Sequence, residues 1–428
     1  MEKKTNIRWW VGIFLLIATT INYLDRSVMG IAGPSMMEDL SINATQFGIL
    51  SSAFFWSYAL MQLPVGAIVD KLGTKLAYII AIIWWSIATI LTGSLRSFGA
   101  LIGARILMGV GEAPSFPTNT KVISDWFPSH ERGIANSLLT TGIACGAGIF
   151  TPILAVIINS YGWQYAFYLC GLLGIIFAIA WGLFYKKHPS EHPKVNKAEL
   201  EHILAGSATQ ETAVEADGPK VKWSSLLKYK TVWYLYFGYF AQNYILYLML
   251  TWLPTYLVVE RDMSLLKAGF NAVIPWVVTT IGALLGGKLS DYFIQKGMSP
   301  LIARRTVMAI GMALSTTIIF AAFVESAVAA LVWISISLGG AALAGACVWA
   351  TVADIAPKNL VGTMAGVQGF FGNIAGWVAP ILTGYLLVQS GNFIAPLVVA
   401  GIVAGLAAIL YAFAINNKSV NQLQRLFD

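Results

Sequence analysis

The chain has 428 residues, of which 57% are apolar and only 11% are charged, and its mean hydropathy is +0.71. These values exclude an ordinary soluble domain and are typical of proteins with many membrane-spanning segments. The formal net charge of +7 is spread over short loops and forms no basic stripe, so we expect no nucleic-acid partner.

Apolar runs predict twelve membrane helices, because each run is long enough to cross a bilayer at about 1.5 Å of rise per residue. A polar stretch separates the sixth run from the seventh. We therefore predict an all-α membrane protein with two six-helix halves, 1–185 and 231–428, joined by a cytoplasmic linker, 186–230. In chain order the runs are 9–31, 45–69, 76–96, 98–122, 133–158, 163–185, 231–259, 267–290, 305–325, 327–350, 360–388 and 394–415.

The lysine and arginine residues predict the orientation of these helices. If both termini are cytoplasmic, 22 of the 27 basic residues fall in cytoplasmic segments. Only Arg96, Arg261 and Lys267 lie on the outer side, and Arg26 and Arg105 lie within the spans. Cytoplasmic loops carry an excess of Lys and Arg, so we expect a multi-pass protein of the cell (inner) membrane with both termini cytoplasmic.

Charged residues inside the predicted spans mark the candidate site. The first run contains Asn-Tyr-Leu-Asp-Arg at 22–26, and in the fourth run Arg105, Gly109 and Glu112 share one helix face. A charge in hydrocarbon costs about 2.5–3.5 kcal/mol, so such groups normally face a partner or an aqueous cavity. Matching depths along the two helices predict an ion pair between Asp25 and Arg105, with Glu112 about 10 Å deeper.

A repeated loop motif relates the two halves. A glycine and an aspartate four residues apart follow the second helix of each half. Glycine permits close helix approach, and the aspartate stands where a basic side chain or a helix N-terminus can receive it. This pattern predicts a conformational latch made of Gly66, Asp70, Lys71, Gly73, Lys75, Gly287 and Asp291.

The motifs resemble those of a known family. The loop 66–75 looks like the signature of the major facilitator superfamily. Segments 22–26, 105–119 and 126–132 resemble its anion:cation symporters, which include bacterial carriers of galactonate, glucarate and hexuronates. The similarity continues through 250–256 and covers nearly the whole chain. It implies the major facilitator fold and coupled transport of an organic anion.

The resemblance also implies roles for the charged residues. Asp25 and Glu112 match positions thought to carry protons, and Arg105 is their basic neighbour. Arg26 matches the position that binds the substrate carboxylate, which suits its planar fork of donors. In the alternative reading, these are structural ion pairs. A direct pair between Asp25 and Arg26 is disfavoured, because consecutive helical side chains point about 100° apart.

Polar and aromatic groups from several helices are candidates to bind substrate hydroxyls. In the family, Tyr58 and Trp349 match substrate-contacting positions, although aromatic residues also serve as lipid-facing packing. Family members that carry an aldonate place hydrogen-bonding residues where this chain has Ile143 and Gly369, so galactonate is not assigned. The full set of candidates is Asn22, Tyr23, Tyr58, Gln62, Gln242, Asn243, Trp349, Gln368 and Asn373.

We expect a symporter that imports an organic anion, a sugar acid such as a hexonate, hexuronate or aldarate, together with protons by alternating access. Two alternatives are a sodium-coupled or exchange carrier for phosphate or dicarboxylates, and a receptor that binds an anion without moving it. The four histidines, at 130, 188, 192 and 202, fall in predicted cytoplasmic loops. We therefore expect no enzyme activity, cofactor or metal site, and a monomer working in the lipid bilayer.

Overall fold

The computed structural model describes residues 4–128, 131–207, 228–356 and 361–414, and these ranges contain helices and turns but no strand. Residues 208–227 of the predicted linker, the segment 415–428 and the predicted loop residue His130 lie outside the described residues.

The first half of the described chain contains nine α-helices. Helices α6 and α7 are joined by a π-helical turn at Cys145–Ile149, and α9 lies in the predicted linker. The helices are α1 (Ile7–Asp39), α2 (Ala44–Leu72), α3 (Thr74–Ser94), α4 (Phe98–Glu112), α5 (Ser115–Trp126), α6 (Arg132–Ala144), α7 (Thr151–Tyr161), α8 (Trp163–Phe184) and α9 (Lys197–Ser207).

The second half repeats this alternation of long helices and short turns. Helix α10 continues into a π-helical turn at Tyr256–Glu260, and a 3₁₀ turn at Thr316–Ile319 joins α13 to α14. The helices are α10 (Lys230–Thr255), α11 (Leu265–Asn271), α12 (Val273–Gln295), α13 (Pro300–Ser315), α14 (Phe320–Phe323), α15 (Ala327–Ile355), α16 (Val361–Ser390) and α17 (Ile394–Ile409).

Among the described residues, nine helical segments are long and apolar enough to cross a membrane, and α2, bent by 66° near Pro64, is a tenth candidate. The predicted spans at 98–122 and 231–259 are not among them. The first is broken at Ala113 and Pro114 into helices of 15 and 12 residues. The second is rich in tyrosine and tryptophan, which lowers its hydropathy. The number of twelve spans stays a prediction.

Short turns carry recognisable helix caps. Asn43 accepts a hydrogen bond from the backbone of Gln46, and the Gln46 side chain accepts one from the backbone of Asn43. Ser97 caps α4 in the same position. Gly73 between α2 and α3 has φ of +77°, a conformation that favours glycine. These signals explain why α2, α3 and α4 begin where they do.

Among the described residues, the two halves come into close backbone contact at the end of the bundle where α1 passes to α2. There a Cβ added to Gly30 would lie 2.3 Å from the Leu250 carbonyl oxygen, and one at Gly48 would lie 2.3 Å from that of Pro380. Only glycine permits such contact between backbones. We call this the closed end, and the opposite end, where α2 passes to α3, the open end.

At the open end the helices of the two halves separate. A Cβ added to Gly66, Gly287 or Gly366 would meet no described atom beyond its own neighbours within 4 Å. The prediction that Gly66 and Gly287 bring helices into close contact is therefore wrong for this conformation, because no other described helix comes within 4 Å of either position.

Candidate functional site

A cavity of about 400 Å³ lies between the two halves, and we call it the central cavity. Helices α1, α2, α5 and α6 form one wall, and α10, α15 and α16 form the other. The lining residues are Tyr23, Arg26, Tyr58, Gln62, Phe116, Thr120 and Ile143 from the first half, and Tyr239, Asn243, Tyr247, Trp349, Gly369, Gly372 and Asn373 from the second.

Arg26 is the one charged side chain that lines this cavity in the described part of the chain. Its Nε donates to Oε1 of Glu112 on α4, and both side chains are buried. The guanidinium carbon lies 5.0 Å from the ring centre of Tyr23 and 4.7 Å from that of Tyr58. A carboxylate and aromatic faces thus offset the cost of burying this cation.

The predicted ion pair between Asp25 and Arg105 is wrong, since the buried pair is Arg26 with Glu112. The Arg105 guanidinium instead lies 2.9 Å from the sulfur of Met108. Neither Asp25 oxygen has a hydrogen-bond partner among the described residues, and Asp25 is fully buried. The reason is helix rotation, because depth along two helices does not fix which residue of α1 faces α4.

Asp25 turns away from the cavity toward α3 and α8. Its carboxylate lies near Trp85 and Thr89 on α3 and within electrostatic range of Cys170 on α8. Asp25 also interacts electrostatically with Glu112 and Arg105. Asp25, Arg26, Arg105 and Glu112 therefore form one buried charge cluster, of which only Arg26 reaches the cavity.

Seven predicted substrate-binding side chains line the central cavity, namely Tyr23, Arg26, Tyr58, Gln62, Asn243, Trp349 and Asn373. Three do not. Asn22 is fully buried and faces Glu112, and Gln368 is fully buried with no described hydrogen-bond partner for its amide. Gln242 lines a second cavity of about 530 Å³ between α6, α10, α12 and α15, which shares Ile143 and Trp349 with the first.

Sequence reasoning missed Tyr239 and Tyr247, which line the central cavity on either side of Asn243. The spacing of these three residues, i, i+4 and i+8, puts them on one face of α10, so the signal was present. Phe116 and Thr120 on α5 were also missed, although they too are four residues apart. Ile143 and Gly369, the two departures from the family pattern, both line the cavity.

The predicted latch residues lie at the open end. Asp70 forms an ion pair with Lys121 on α5. Lys71 and Asp291 are exposed, Gly73 is the N-cap of α3, and Lys75 lies in the first turn of that helix. The role of this set as a conformational latch stays a prediction.

The motif at 126–132 has a structural role at the same end. Glu131 accepts hydrogen bonds from Arg8 at 2.7 and 3.1 Å and lies 3.0 Å from a ring nitrogen of His202 on α9. The hydrogen bonds from Arg8 hold the pKa of Glu131 at about 2. Glu199, also on α9, accepts from the backbone N–H groups of Ile7 and Arg8. The linker helix therefore caps the start of α1.

No group of His, Cys, Asp and Glu in the described ranges is arranged to hold a metal ion. In the part of the chain that the structure describes, the central cavity is lined by one cation and by neutral polar, aromatic and apolar groups.

Comparison with known proteins identifies the family. The family model described as Major Facilitator Superfamily matches residues 15–380. The chain belongs to the major facilitator superfamily. This confirms the resemblance that the sequence motifs carry and the all-α membrane fold they imply.

Curated relatives are similar over nearly their whole length. The chain is 38% identical to a protein of Escherichia coli (strain K12) named as a probable galactarate/D-glucarate transporter, over 96% of this chain and 94% of the relative. It is 34% identical to a hexuronate transporter of Bacillus subtilis (strain 168), over 95% of each chain. This superfamily member is thus a multi-pass membrane transporter and not an enzyme.

A solved structure agrees on the fold. A bacterial homolog of the human lysosomal transporter Spinster, in an inward-facing and occupied conformation, matches with a TM-score of 0.75. The match has 19% identity and covers 96% of this chain and 97% of that one. At this identity the likeness concerns the fold alone.

Proposed function

We propose that this transporter is a proton-coupled symporter that imports a sugar acid, whose carboxylate binds Arg26 in the central cavity. The observation that carries the proposal is that a single guanidinium, held by Glu112, faces a cavity otherwise lined by neutral groups within the described residues. Relatives named for galactarate, glucarate and hexuronate support the choice of sugar acids.

Substrate binding involves a competition for Arg26. Its Nε is occupied by Glu112, whereas its Nη2, which is buried, has no hydrogen-bond partner in the described structure. An unpaired buried donor is unfavourable, and a carboxylate offers two acceptors to a guanidinium fork. An entering acid therefore gains a strong partner and weakens the hold of Arg26 on Glu112.

Proton binding follows from that competition. A buried carboxylate that loses its cation becomes neutral more readily than it stays charged. Glu112 takes a proton when the substrate occupies Arg26, and Asp25, which lacks a described hydrogen-bond partner, is the second proton site. Arg105 interacts electrostatically with both acids and so links their proton occupancy. Proton and anion thus favour each other's binding.

Transport requires that the cavity open alternately to the two sides. In the proposed orientation the open end faces the cytoplasm, because the basic loop residues cluster there. The glycine contacts of the closed end separate in the outward-facing state, and the latch residues around Gly66 and Gly287 approach one another. One chain holds the complete cavity, so we propose a monomer as the working unit.

Neutral residues of the second half select the hydroxyl groups. Asn243 and Asn373 present amides to the cavity, and Tyr239 and Trp349 present rings that meet edge to face at 5.3 Å. The apolar Ile143 and Gly369 leave part of the wall without hydrogen-bonding groups. A site of this kind rejects an analogue that leaves its buried polar groups unpaired.

Purified protein in liposomes tests this function. We expect glucarate or a hexuronate, added outside, to drive proton entry that an internal pH dye reports, without any need for sodium. Proton entry that requires sodium, or anion uptake with no pH change, would contradict the proposal. Counterflow of labelled anion separates a transporter from a receptor, since a receptor gives none.

A further inference from the structure

Phe54 on α2 lies against both arginines of the charge cluster. The guanidinium carbon of Arg26 is 4.8 Å from the centre of this ring, and that of Arg105 is 5.4 Å away. The ring is fully buried and is held by Phe55 and Tyr58 at 4.9 and 5.2 Å. Of the described aromatic residues, Phe54 is the one whose ring lies under both cations.

Arg105 depends on this ring more than Arg26 does. Arg26 has the carboxylate of Glu112, whereas Arg105 has no carboxylate within ion-pair distance among the described residues. Its close neighbours are the Met108 sulfur and the face of Phe54. A cation over an aromatic face is stabilised by the negative potential of the ring, and more so when both are removed from water. Phe54 therefore takes the place of an acidic partner for Arg105.

We propose that Phe54 is a positioning residue that keeps Arg105 from pairing with Asp25, so that Asp25 stays able to take up and release a proton. This inference rests on the proposed proton-coupled transport. If Arg105 moved onto Asp25, the pair would hold Asp25 in its charged form, and a proton would bind only at lower pH. The Phe54 ring and the Asp25 carboxylate thus compete for the guanidinium of Arg105.

The groups that act on this equilibrium come from several elements. Glu112 and Arg105 face Asp25 from α4, and Cys170 faces it from α8. Arg105 in turn interacts electrostatically with Arg26 on α1, as well as with Glu112 and Asp25. Phe54 itself is neutral, and its ring holds Arg105 away from Asp25.

The test is the pH profile of anion-driven proton uptake in liposomes, with counterflow measured in parallel. Phe54→Leu keeps an apolar side chain but removes the π face. We expect its midpoint to move about one unit toward acid pH, a tenfold change in proton affinity, with counterflow still detectable. Phe54→Tyr restores the ring and should restore the midpoint.

The control is Phe47→Leu, because Phe47 is also fully buried on α2 but its ring packs on Trp252 at 5.3 Å. Its midpoint should match wild type. A Phe54→Leu protein with a wild-type midpoint would overturn the inference, as would an equal shift in the Phe47 control.

Met108→Leu gives an independent reading if Phe54→Leu does not fold. It removes the other neutral neighbour of Arg105 and should shift the midpoint in the same direction by a smaller amount. An unshifted midpoint would then overturn the inference. Absence of anion-driven proton uptake in wild type would instead overturn the proposed function, so the two failures are distinguishable.

Discussion

The two walls of the central cavity differ in the chemistry they offer. The first-half wall carries Arg26 with Glu112, backed by Asp25 and Arg105, whereas the lining from the second half carries no charge among the described residues. Among the described residues the charge of the lining is thus confined to one half, whereas neutral polar groups come from both. We infer that one half couples the proton to the anion and that the other recognises the rest of the substrate.

Replacing Arg26 should have the largest effect, because the charged wall then loses its contact with substrate. We expect Arg26→Ala to abolish measurable uptake and Arg26→Lys to raise KM about tenfold or more, since lysine lacks the bidentate fork. The measurement is initial uptake of labelled sugar acid. Arg96→Lys, at an exposed ion pair with Asp39, is the control and should behave as wild type. An unaltered KM in Arg26→Lys would contradict the assignment.

Asp25→Asn should separate coupling from binding. The amide cannot carry a proton, so we expect loss of accumulation driven by a pH gradient, with counterflow retained at a reduced rate. The matched control is Asp39→Asn, which changes an exposed carboxylate at the far end of the same helix. Accumulation at the wild-type level in Asp25→Asn would show that the charged wall does not couple protons through this residue.

Asn243→Ala tests the neutral wall. Loss of one or two hydrogen bonds to the substrate should raise KM about five- to tenfold and leave the proton-to-anion ratio unchanged. Gln242→Ala is the control, because the neighbouring Gln242 lines the second cavity. If Asn243→Ala altered the proton ratio, the division between the two walls would not hold.

The smallest effect is expected outside both walls, at the contact between Glu131 and Arg8. Glu131→Gln should lower the free energy of unfolding by about 1.5 kcal/mol at neutral pH, the lower end for a charged hydrogen bond. Because the pKa of Glu131 is lowered to about 2 from a usual 4.5, this stabilisation is present above pH 4.5 and is lost as the pH falls toward 2.

Thermal unfolding of the purified protein against pH measures this effect. The difference between wild type and Glu131→Gln should shrink over the acid range. Glu201→Gln, at an exposed position on α9, should show no difference at any pH. A constant gap between wild type and Glu131→Gln down to pH 2 would exclude a charged contact as its cause.

The sequence predicted the helical class and about half of the residues that line the cavity, for physical reasons visible in particular residues. Apolar run length located the spans, and charge within a span singled out Arg26 and Glu112. Counting residues along a helix gives the depth of a side chain in the membrane but not the direction in which it points. The prediction from depth alone therefore paired Asp25 with Arg105. The sequence also predicted that both Gln242 and Asn243 bind substrate, although adjacent helical residues point about 100° apart.

The conformation also lay beyond sequence reasoning. A Cβ added to Gly30 or Gly48 at the closed end would lie within 3 Å of backbone from the other half, whereas one at Gly66 or Gly287 would meet open space, although all four glycines belong to the same kind of apolar helix. Which glycines are in contact depends on which end of the bundle is closed, and the sequence must serve both states. Helix α5 likewise begins at a break at Ala113 and Pro114 that run length alone does not reveal.

The most direct test of the central claim is whether anion binding takes up a proton. Calorimetric titration of the purified protein with glucarate or a hexuronate, in two buffers of different ionisation enthalpy, counts the protons bound with each anion. We predict uptake of about one proton or more per anion in wild type, reduced uptake in Asp25→Asn, and no binding in Arg26→Ala. Tight anion binding without any proton uptake in wild type would contradict the account.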